Sequence, residues 1–132
     1  MRGQNWAVLL SIVVGAAAWV TQAKAQESEK AFYAGKTVRM VVGSGVGGGY
    51  DVFSRLIAPY LQKTLGTTVI VENVPGAGGL VALNKLYIAP PDGLQISLSQ
   101  GTMAGIAQLM GDQAARFDLT KFSYLATVGA PP

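Results

Sequence analysis

Two hydrophobic rhythms alternate along this chain. Residues 37–42 (Thr-Val-Arg-Met-Val-Val) are β-branched and almost continuously apolar, the pattern of a strand buried on both faces. From Asp51 the period becomes helical, with Val52, Phe53, Leu56, Ile57, Tyr60, Leu61 and Leu65 on one face and Gly66 as a C-terminal stop. Pro59 lies inside this run and predicts a kink. Residues 67–71 read as a second strand. A helix over 79–88 follows, burying Leu80, Leu83, Leu86 and Tyr87 and ending before Pro90-Pro91. Asp92-Gly93 marks a turn, and the alternation of Leu94 to Ser99 predicts a third strand. Thr102 is placed to cap a third helix through Met110, with Gly111 ending it, and Phe122 to Val128 reads as a fourth strand.

The order β-α-β-α-β-α-β, with crossovers long enough for parallel pairing, predicts an open α/β sheet. Ligands in such sheets sit beyond the carboxyl ends of the strands, near the point where strand order reverses.

Residues 1–25 carry a different pattern. Arg2 precedes an apolar stretch from Ala7 to Val20, and Ala23-Lys24-Ala25 forms an A-x-A cleavage site, so these residues read as an export signal cleaved before Gln26. The stretch falls short of the roughly 20 residues needed to span a bilayer. Removing it changes the charge: the +3 of the 132-residue chain becomes eight basic against seven acidic residues, with no Lys/Arg cluster. Nothing remains of a nucleic-acid or membrane-surface footprint.

Half the residues are apolar, and Cys and His are both absent. An exported protein without Cys rests on its core rather than on disulfides. The same absence removes Cys–His and Ser–His–Asp catalysis and the usual zinc sites. No Asp-rich loop proposes a hard-cation site, so neither metal, cofactor nor catalytic residue is expected.

The chemistry is concentrated in two glycine-rich turns that follow the first two strands. The first is Gly43-Ser44-Gly45-Val46-Gly47-Gly48-Gly49-Tyr50-Asp51, and the second is Glu72-Asn73-Val74-Pro75-Gly76-Ala77-Gly78-Gly79. Such turns leave backbone N–H groups at a helix start, where the macrodipole favours anions. Gly43, Gly45 and Gly48 also satisfy G-x-G-x-x-G, and Glu72 ends the second strand, so a Rossmann-like nicotinamide-dinucleotide domain is an alternative. Export and the acid at Asp51, which would repel a pyrophosphate, weigh against it. Asp51 reads as capping its own helix and pairing with Arg55 one turn on, and Asn73 as satisfying local backbone groups. Ser97, Ser99, Gln100 and Thr102 offer hydroxyl and amide partners, and Tyr50 a wall.

The sequence resembles the N-terminal part of the periplasmic substrate-binding proteins of tripartite tricarboxylate transporters, the TctC and Bug receptor family. The resemblance is carried by residues 32–38 (Phe-Tyr-Ala-Gly-Lys-Thr-Val), by Gly47-Gly48-Gly49-Tyr50-Asp51 with Arg55, by residues 71–79, and by Ala89-Pro90-Pro91-Asp92-Gly93. It implies a periplasmic-binding-protein type II-like lobe at 26–132: an open, mostly parallel sheet flanked by helices, incomplete because full receptors of the family are more than twice as long. It also implies a small organic carboxylate as ligand, membrane transporter subunits as partners, and a monomer at full length. The ligand-binding positions it points to are Val46, Gly47, Gly48 and Gly49 in the first turn and Gly76, Ala77, Gly78 and Gly79 in the second. Gln100, Gly101 and Thr102 form a third group. Many relatives have Pro where Val46 stands. A lone lobe would leave its amides in water and its sheet with an open edge, so weak binding, or a non-functional remnant, is the expectation for such a piece by itself.

Overall fold

The computed structural model describes residues 29–128. The expected export signal and its cleavage site lie outside the described residues. Strand β1 (Thr37–Val42) leads to helix α1 (Gly49–Leu65), strand β2 (Thr68–Asn73), a short 3-10 turn (Ala77–Gly79) and helix α2 (Leu80–Tyr87). Strand β3 (Gln95–Leu98), helix α3 (Gly101–Leu109) and a second 3-10 turn (Leu119–Lys121) follow. The sheet is parallel throughout in the order β2-β1-β3, with Val38 level with Val69 and Met40 level with both Val71 and Ile96. No helix among the described residues is long and apolar enough to cross a membrane.

β1 is central because nearly every side chain on it can be covered. Val38, Met40 and Val42 point to one face and form a core with Ala58 of α1 and Val69 of β2, flanked by Ile57, Leu61, Leu65 and Val71. The rest of the chain builds a second cluster, Leu80 and Leu83 of α2 with Ala104 of α3 and Phe117. The helices thus cover both faces of a small doubly wound sheet.

The buried face of α1 keeps Ile57, Leu61 and Leu65 of the expected one and differs in the rest. Asp51, Ser54 and Ala58 are its buried residues. Val52, Phe53, Leu56 and Tyr60 are exposed. Small side chains let the helix lie close to a sheet already filled by valines, and Asp51 finds its partners only on that side. The helix runs through Pro59 as one element, starting two residues earlier than expected, and Gly66 caps it in the left-handed region at φ 67°. Pro59 withholds only the N–H that the Arg55 carbonyl would otherwise accept.

Two further expectations are corrected. Thr102 does not cap α3: Gln100 is the N-cap, with extended backbone and no side-chain cap bond, and Thr102 is already helical. The fourth strand does not form among the described residues, where 123–128 carry no regular structure. Phe122 packs edge-on against Tyr87 at 5.8 Å and tilted against Phe117 at 6.1 Å, which ties the start of the segment to the α2 side. A strand also needs a neighbour to satisfy its backbone, and Tyr124 and Leu125 instead face solvent.

Candidate functional site

With strand order β2-β1-β3, the chain leaves β1 towards one side and returns to the other, so the reversal lies between the carboxyl ends of β1 and β3. A cavity of about 30 Å³ sits there, room for a single water-sized group. Each of the three connections lines it: Gly43 and Tyr50 after β1, Gly78 and Gly79 after β2, Ser99 and Gln100 after β3. Leu80, Leu83, Leu98 and Ala104 form its apolar floor, and no charged side chain lines it.

The two glycine-rich connections touch. A Cβ built on Gly43 would stand 2.6 Å from the Gly79 Cα and 3.4 Å from the Ala82 Cβ, so only glycine permits this approach. The second connection is held in an unusual backbone path, with positive φ at four successive residues: 140° at Gly76, 46° at Ala77, 64° at Gly78 and 96° at Gly79. Glycine adopts such φ values without penalty, whereas Ala77 pays for its own through its Cβ.

The first connection is organised by Asp51. This carboxylate is 2% exposed, and it accepts the Gly47 N–H at 2.8 Å, Arg55 Nε at 2.9 Å and Asn73 Nδ2 at 2.9 Å. Those three donors, Arg55 foremost, hold its pKa down from 3.8 to about 2. Asn73 Nδ2 also donates to the Ser44 carbonyl at 3.0 Å, and Arg55 Nη2 donates to Asn73 Oδ1 at 3.1 Å. The Asp51–Arg55 pair is therefore as expected, but Asp51 grips the loop ahead of its helix instead of capping the helix. Asn73 does serve backbone, though on a connection 29 residues away.

The expected site residues divide. Gly78, Gly79 and Gln100 line the cavity; Val46, Gly47, Gly48, Gly49, Gly76, Ala77, Gly101 and Thr102 lie on the same three connections without lining it. Three expected donors are already committed: Gly47 to Asp51, Gly48 to the Gly45 carbonyl at 3.0 Å and Gly79 to the Gly76 carbonyl at 2.9 Å. Among the described residues the amides of Val46, Gly76, Ala77 and Gly78 meet no protein acceptor. Those of Gly49, Gly101 and Thr102 lie in first helical turns, where intrahelical acceptors are lacking. The apolar floor went unforeseen, because Leu80 and Leu83 read only as core.

Glu72, the acid a dinucleotide reading would use, is engaged by Lys85 and lies 3.7 Å from Arg39. The hydrogen bond from Lys85 is the main reason its carboxyl sits below the ordinary range. No cluster of three potential metal ligands occurs among the described residues.

A parallel α/β lobe whose three strand-end connections meet at a cavity without a charged side chain has the architecture of open α/β sheets, which take ligands at that edge. The model of the tripartite tricarboxylate transporter family receptor matches residues 53–130, and the chain belongs to that family. It is 40% identical over 75 residues to a UPF0065 protein of Bordetella bronchiseptica, covering 57% of this chain and 22% of the relative. It is also 38% identical over 109 residues to a UPF0065 protein from the ttuE–ttuC' intergenic region of Agrobacterium vitis, covering 83% of this chain and 29% of the relative. The chain thus spans about a quarter of the length of these curated relatives. A solved structure described as a periplasmic transporter superposes with a TM-score of 0.57 at 30% identity, over 64% of this chain and 29% of that one.

Proposed function

We infer that this chain forms a ligand-binding lobe of an exported receptor. The receptor captures a small organic carboxylate in the periplasm and presents it to membrane subunits of a tripartite tricarboxylate-type transporter, with no chemistry on the ligand. The observation that carries this reading is the meeting of three strand-end connections around a cavity without a charged side chain. Backbone N–H groups at helix starts suit a carboxylate there.

The donors assigned to the ligand are Gly78 and Gln100 at the cavity itself, with the uncommitted amides of Val46, Gly49, Gly76, Ala77, Gly101 and Thr102 on the connections around it. Gly47 and Gly48 shape the rim through their own hydrogen bonds, and Gly79 lines the cavity with its N–H given to the Gly76 carbonyl. The cavity admits one water-sized group, so this lobe takes hold of a carboxylate end, or the water bridging to it, rather than a whole ligand. Residues 1–25 direct export and are removed before Gln26.

Calorimetric titration with citrate and with shorter dicarboxylates tests the reading, with NADH as the control. Weak but saturable heat with an acid and none with NADH is expected, since a single lobe leaves its amides in water. Saturable NADH binding, or indifference to every acid, would overturn it.

A further inference from the structure

We propose that Asn73 and Asp51 are positioning residues that fasten the connection after β1 to the end of β2, so that the two glycine-rich rims respond as one body. This rests on the carboxylate-receptor reading, because what it positions is the set of ligand-facing amides.

Asn73 has every polar atom of its side chain engaged. Its Nδ2 donates to the Ser44 carbonyl at 3.0 Å and to Asp51 Oδ1 at 2.9 Å, while its Oδ1 accepts from Arg55 Nη2 at 3.1 Å. Asp51 is equally occupied: Oδ1 accepts from Asn73 and Arg55, and Oδ2 takes the Gly47 N–H at 2.8 Å. With both oxygens used and the residue 2% exposed, Asp51 is closed to a ligand ammonium or hydroxyl. Any part it has in binding passes through the backbone it holds.

That backbone has few other fasteners. Glycines dominate residues 43–49 and give the turn no side chains with which to pack. Asn73 secures it near the start, at Ser44, and Asp51 secures it near the end, at Gly47; the Gly48 N–H closes on the Gly45 carbonyl between them. The other end of the link is rigid. Asn73 lies level with Val42 in the sheet, and the Val74 N–H donates to the Val42 carbonyl at 2.8 Å. The rim that begins at Val74 is thereby tied to the rim that begins at Gly43. Donors aimed by a fixed frame bind an anion without reorganising first, whereas a loose glycine loop must be ordered by the ligand.

Amide hydrogen exchange on the full chain tests this without any ligand. In Asn73→Ala and in Asp51→Asn, exchange at Gly47 and Gly48 is expected to rise roughly tenfold or more, with Met40 and Val41 in β1 at parental rates. The double variant should exchange little faster than the more affected single one, since both changes cut the same link. Rates at Gly47 and Gly48 within about twofold of the parent in both variants, or effects that multiply in the double variant, would overturn the proposal. If Asn73→Ala fails to fold, the near-isosteric Asp51→Asn decides alone. Citrate titration separates the two claims. A parent that ignores citrate while the exchange coupling holds defeats the receptor reading only. Citrate held equally by parent and Asn73→Ala defeats the positioning role.

Discussion

Gly43 and Gly79 meet backbone to backbone, so closely that a Cβ on Gly43 would intrude to 2.6 Å from the Gly79 Cα. The obstacle is main chain and cannot rotate away. Gly43→Ala should therefore push the two connections apart and destabilise the fold by about 1–3 kcal/mol, as overpacking does. Urea denaturation measures the loss. Gly45→Ala is the control, because an added Cβ there meets nothing within 4 Å.

Ala77 holds φ at 46° in the middle of the second connection, a conformation costly for any residue with a Cβ. Ala77→Val should cost about 1–3 kcal/mol, since a β-branched side chain tolerates that region worst. Ala77→Gly should leave stability within about 1 kcal/mol of the parent, relief of strain offsetting the extra freedom of the unfolded chain. Thermal melts of the pair provide the test, and equal Tm values for Val and Gly would show that the turn is not held as described.

Packing gives a third contrast. Leu83 is 5% exposed in the cluster of α2, α3 and Phe117, whereas Leu56 on α1 is 61% exposed. Leu83→Ala should cost about 2–5 kcal/mol, and Leu56→Ala less than about 0.5 kcal/mol. The ordering of the two denaturation midpoints is the measurement. A larger loss at Leu56 would mean that the apolar face of α1 is covered.

That contrast also marks where the sequence was legible. The three strands, the helices between them and the glycine turns at the strand ends follow from periodicity and from residues whose backbone freedom is extreme. The buried face of α1 followed only in part: Ile57, Leu61 and Leu65 pack on the core as their period implies, but counting apolar positions also favours Val52, Phe53, Leu56 and Tyr60, which are exposed. Close packing selected Ser54 and Ala58 with the paired Asp51 instead. The apolar alternation of Phe122 to Val128 promised a strand, but pairing requires a neighbour that pattern alone does not supply. At the strand ends, the glycines of both turns do lie on connections that meet at the cavity. Which amides remained free depended on long-range partners such as Asn73 to Ser44, and no local motif encodes those.

Acid offers the last test, through Asp51. Its pKa is lowered from 3.8 to about 2 by hydrogen bonds from Arg55, the Gly47 amide and Asn73, so the native state binds that proton less readily than the unfolded chain. The stabilisation is fully present above about pH 4, where the carboxylate is ionised in both states, and disappears as pH falls through about 2. A stability profile should slope downward across this interval, and in Asp51→Asn the slope should flatten because one titrating group is gone. Glu72 and Asp118, whose carboxyls are also held below their ordinary range, retain the remaining slope. Profiles that overlay for parent and Asp51→Asn between pH 4 and 2 would show that Asp51 titrates as a free carboxyl and does not hold the first connection.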